Sequence, residues 1–105
     1  SPALGNFGVR TRAYLSARKK WLGDIDVLVR RINRDISYGD TEGVWRNNEE
    51  LLRILRNVLH QEESYDPVNA HRIRNLVNDI LIRLSAEQYP SDKLAMLTSL
   101  YGKAV

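Results

Sequence analysis

The residue types able to do chemistry are few and scattered. His60 and His71 are the only histidines, and there is no cysteine. Cys-ligated zinc, thiolate catalysis and disulfides are therefore excluded. A metal site built on the two histidines, which lie on different helices, would need a third ligand at matching geometry; His60 and Glu63 span one turn, but any polar helix offers such pairs. Glu49-Glu50 and Glu62-Glu63 are the paired carboxylates. Neighbours on a helix point about 100° apart, so neither pair converges on a substrate as acid and base would. No Gly-rich phosphate loop, HExxH or GxSxG motif occurs. The expectation is a chain without catalytic activity, metal or cofactor.

Two groups of residues suggest binding instead. Arg18-Lys19-Lys20 followed by Trp21 suits a nucleic acid, with cations for phosphates and an aromatic for a base. Arg30, Arg31 and Arg34 extend that basic surface. The plainer alternative is a solvated charged face, with Trp21 packed against a neighbouring helix. The second group is Tyr38 in one interhelical turn, and Leu84 and Tyr89 around another. In an antiparallel bundle, two connections separated by two whole helices leave from the same end. Apolar and aromatic side chains there would receive a short peptide, and Arg83 beside them would pair with its acids. The alternative is that Tyr38 and Tyr89 cap the core.

Helices must carry these groups. Ile25, Leu28, Val29, Ile32 and Ile36 recur at spacings of three and four, which predicts a helix over about 10–36. Gly23 is its weak point, costing roughly 1 kcal/mol against Ala. Asp24 would cap a separate helix if the run broke there. Tyr38-Gly39-Asp40-Thr41 reads as a turn, with Thr41 as the next N-cap. Val44, Leu51, Leu55 and Val58 form the second stripe, interrupted only by Asn48; Leu52 and Leu59 widen it, and Glu62 to Tyr65 end it. Asp66-Pro67 opens a third helix, with Asp as cap and Pro at the first helical position. Its buried set is Ala70, Ile73, Leu76, Val77, Ile80, Leu81 and Leu84. Ser85 to Pro90 forms a loop, and Ser91 caps a last helix through Leu94, Leu97, Leu100 and Tyr101. The fold class is all-α: a compact bundle of four to five helices with short connections. Residues 1–105 form one domain, with 1–9 a flexible lead-in.

Composition agrees. The chain has 105 residues, 43% hydrophobic and 28% charged, which suits one globular domain and no membrane span. Ser1 to Lys20 is polar and basic without a continuous apolar run, so no secretory signal is expected. The net charge of +3 is unevenly spread. Eight Lys/Arg against three acids give +5 up to Asp35, three against seven give −4 from Ile36 to Asp66, and five against three give +2 thereafter. That is a dipolar surface, not a general polyanion binder.

The second half resembles the N-terminal domain of the transcription elongation factor TFIIS and the related integrase-binding domain of chromatin-tethering proteins. The resemblance rests on Ile73 followed four residues on by Val77-Asn78 and then Ile80, and on the ending Leu97 to Leu100, Tyr101, Gly102, Lys103. Leu81-Ile82-Arg83-Leu84 is similar to the integrase-binding branch's basic stretch. It implies a helical bundle that binds short disordered acidic-hydrophobic motifs of transcription or chromatin proteins. The family's loop contacts would fall on Tyr38 or Asp40 and on Arg83 and Leu84. A second resemblance is to the BAG domain, a co-chaperone module that binds the Hsp70 ATPase domain, through Glu49 to Leu52 and Arg72-Ile73-Arg74. It implies Hsp70 contacts at Glu50 and Arg74. The implied setting is intracellular: nuclear under the first resemblance, cytoplasmic otherwise.

Overall fold

The computed structural model describes residues 12–102. They form four helices and no strand: α1 Arg12–Tyr38, α2 Thr41–Tyr65, α3 Pro67–Ala86 and α4 Ser91–Tyr101. The all-α bundle expected from the periodicity is the architecture found. The expectation for residues 1–9 lies outside the described residues.

α1 runs unbroken through Gly23, so Asp24 does not start a second helix. Nothing lies within 4 Å of where a Gly23 Cβ would sit, and the residue is exposed. Its conformational cost is local, while packing of α1 on α2 holds both sides of it. Tyr38 is the last residue of α1 instead of a turn residue, and Gly39 makes the turn at φ +70°. The cap of α2 is Asp40, one position before the expected Thr41: its carboxylate accepts from the Gly43 N–H at 2.9 Å. Asp66 caps α3 as expected, accepting from the Asn69 N–H at 3.1 Å, with Pro67 at the first position. Pro90, not Ser91, stands at the start of α4, without a side-chain cap.

Close packing runs between consecutive helices: α1 on α2, α2 on α3, α3 on α4. The core joins Leu28 and Ile32 of α1 to Leu51, Leu52 and Leu55 of α2 and to Val77, Ile80 and Leu84 of α3, with Tyr89 and Tyr101 closing it. Leu76, expected inside, is exposed. Asn48, the interruption in the second stripe, is fully buried, and its amide donates to the Val44 carbonyl at 2.7 Å. No helix among the described residues is long and apolar enough to cross a membrane.

Candidate functional site

The α1–α2 turn and the α3–α4 connection lie at one end, and direct contact shows it. The Trp45 indole N–H, in the first turns of α2, donates to the Glu87 carbonyl at 3.2 Å. Its ring meets Tyr89 edge-on, with centroids 5.6 Å apart. A clamp between positions 42 residues apart in sequence therefore joins the two connections.

This clamp decides which expected contact residues are available. Tyr38 is 79% exposed at the tip of the end, so it does not cap the core. Arg83, in the last turn of α3, is exposed as well. Leu84 and Tyr89, expected to be open at this end, are buried instead. Leu84 has no exposed surface, and Tyr89 is buried under Trp45. Neither can be an open apolar anchor, because each already fills the seam between α2, α3 and the connection. Burial pushes the Tyr89 phenol above its usual range, and the Glu49 and Asp92 carboxylates add to the shift. Asp40 is exposed, with its carboxylate engaged as the α2 cap.

The other candidate groups are dispersed. Lys19 and Lys20 are exposed on α1, whereas Arg18 and Trp21 are half-buried. Trp21 packs against the core, so it is not presented as a base-stacking platform. Its indole N–H and the Arg18 Nε are buried without a hydrogen-bond partner. Glu50 lines a groove between α1 and α2 with Asp24 and Arg31, and it is ion-paired with Arg53. Arg74 is 3.4 Å from Glu63 at the far end of α2. Glu50 and Glu63 are separated by roughly 20 Å along a helix rising about 1.5 Å per residue. The two implied co-chaperone contacts are thus not brought together. His60 and His71 are both exposed, and no group of three metal-ligating side chains forms among the described residues.

Two features had no clear signal in the sequence. Glu62, expected in the solvated end of α2, is completely buried, and it accepts from the Tyr14 hydroxyl at 2.5 Å. Tyr14 in turn stacks on Tyr65 at 4.2 Å. The second is the flank of α1 beside the stripe that packs on α2, where Val29 and Ile36 of the first stripe are half-exposed. The chain matches no protein-family model, no curated protein and no solved structure.

Proposed function

We propose that this chain is a non-enzymatic protein-interaction module that takes a short acidic-hydrophobic motif at the loop end of the bundle. The observation that carries this reading is Tyr38, which is 79% exposed at the end of the bundle where Trp45 joins Glu87 and Tyr89. A large amphipathic ring left in water at this end can be covered by an apolar side chain of a partner. Arg83 at the same end supplies a cation for the acids of the motif. With Leu84 and Tyr89 sealed, Tyr38 is the apolar anchor. One or two buried side chains at ~1.5–3 kcal/mol each, less the ordering of the peptide, correspond to micromolar affinity at best. The resemblance to the transcription-factor domain points to transcription or chromatin partners and a nuclear setting.

A chemical-shift titration with an acidic-hydrophobic peptide tests the reading. Tyr38 and Arg83 resonances are expected to move, and Tyr38→Ala to abolish saturation. Unmoved Tyr38 and Arg83 signals would count against it. The co-chaperone reading has less support, because Glu50 and Arg74 lie apart and each holds an intramolecular partner. Faster nucleotide release from an Hsp70 ATPase domain on addition of this chain would restore it. The nucleic-acid reading has less support because Trp21 is packed inward. Binding with a steep salt dependence, lost on neutralising Arg18, Lys19 and Lys20, would restore it.

A further inference from the structure

α1 carries an apolar ridge besides the stripe that packs on α2. Leu15, Leu22, Val29 and Ile36 are spaced seven residues apart and are 47%, 49%, 41% and 48% exposed. They form a ridge on the flank of α1 next to the stripe that packs on α2, where Tyr14, Leu28 and Ile32 are buried. The ridge spans about 32 Å at about 1.5 Å per residue. Among the described helices, α1 packs closely on α2. We propose that this ridge docks one amphipathic, acidic helix of a partner protein.

Spacing sets the shape of the occupant. Apolar knobs at every seventh position insert between the side chains of a second helix that repeats with the same period. Charge sets its chemistry. Arg12, Arg18 and Lys19 bracket Leu15 and Leu22, at helical offsets of three and four residues, and none is ion-paired among the described residues. The one acid on the outer flank, Asp26, is held by Arg30 at 2.8 Å. The partner helix therefore carries its acids at the end that meets residues 12–22, where the unpaired cations attract them.

The same arguments exclude the competing occupants. A second copy docked in parallel sets cations against cations. Docked antiparallel, it offers Leu15 and Leu22 the Val29–Ile36 half, whose only flanking acid is already paired. A bilayer surface favours a broad apolar face bearing large aromatics. This ridge is one residue wide, and the Trp of α1 is packed against the core.

The test uses the full chain and two labelled three-heptad helical peptides with Leu at the core positions, one flanked by Glu and one by Lys. The Glu peptide is expected to bind, with affinity falling as salt rises. Leu22→Ser is expected to weaken it at least tenfold, and Arg12→Glu with Lys19→Glu at least fivefold with a flatter salt dependence. Leu22 is half-exposed, so an unchanged urea midpoint shows that the variant folds. Leu22 lies far along α1 from Tyr38, so loss here with Tyr38→Ala still binding separates this surface from the loop end. Failure of the Glu peptide to bind, equal binding of the Lys peptide, or indifference to Leu22→Ser would overturn the proposal. So would a dimer dissolved by Leu22→Ser, or uptake by phosphatidylserine vesicles with the same sensitivity to these variants.

Discussion

Leu84→Ala and Tyr38→Ala, made separately, ask whether the loop end is built as described. Leu84 has no exposed surface and sits in the core cluster with Tyr89. Truncation removes three buried carbon atoms, worth ~2.4 kcal/mol at about 0.8 kcal/mol each. The clamp of Trp45 on Glu87 and Tyr89 limits collapse around the hole, so a cavity contribution adds to this. The expected loss is about 3–4 kcal/mol, a large part of the ~5–15 kcal/mol that stabilises a typical domain. It corresponds to a fall in melting temperature on the order of 10–30 °C. Tyr38, 79% exposed, is expected to stay within about 0.5 kcal/mol of the unsubstituted chain. Urea unfolding followed by helical circular dichroism gives both values, with an unchanged slope showing that the same surface is exposed. A Leu84→Ala loss below about 1 kcal/mol, or a Tyr38→Ala loss as large as that of Leu84→Ala, would refute the assignment of core and rim at this end.

Asp40→Ala removes the acceptor for the Gly43 N–H and is expected to cost ~1 kcal/mol in urea unfolding. Gly43→Ala is expected to destabilise too, despite the better helix propensity of Ala, because its Cβ would displace the Asp40 carboxylate and crowd that of Asp35; a stabilised variant would show that the cap can shift. Tyr14→Phe withdraws the hydroxyl that Glu62 accepts from and leaves a fully buried carboxyl poorly satisfied, for an expected loss of about 1–3 kcal/mol. The raised Tyr89 phenol gives a signed pH dependence. The folded state holds that proton more tightly than the unfolded state, so its contribution is complete below the ordinary phenol value of about 10 and is lost as pH rises through the raised native value. The urea midpoint should therefore fall above about pH 10, and Tyr89→Phe should flatten that fall; an equally steep fall in the variant would remove Tyr89 as its source.

What the sequence made legible was local. Asp66-Pro67 announces α3 because the cap, the fixed proline φ and the missing N–H all act within one turn. The α2 cap was legible to within one residue: Asp40 and Thr41 are both competent, and the turn at Gly39 gives the place to Asp40. Gly23 left a break in α1 open, because its cost is set against packing along the 27 residues of α1, which no local window contains. The site was harder to read for a related reason. That Leu84 and Tyr89 are sealed depends on Trp45, which arrives from a different helix. Glu62 looks like helix-surface charge until Tyr14 is placed 48 positions away against it. Periodicity likewise gave α1 a broad apolar run, but not which part of it α2 would cover.

The packing of each helix mainly on the next one in the chain bears on how the protein assembles. Most native neighbours are near in sequence, so little loop-closure entropy precedes each gain in burial, and folding is expected within microseconds to milliseconds. The same arrangement grades resistance to opening. α4 is 11 residues long and is held chiefly through α3, so it can detach while α2 and α3 remain paired. Amide protons of α4 should exchange with deuterium ahead of those at the centre of α2, giving this small protein a frayed edge and a slow interior.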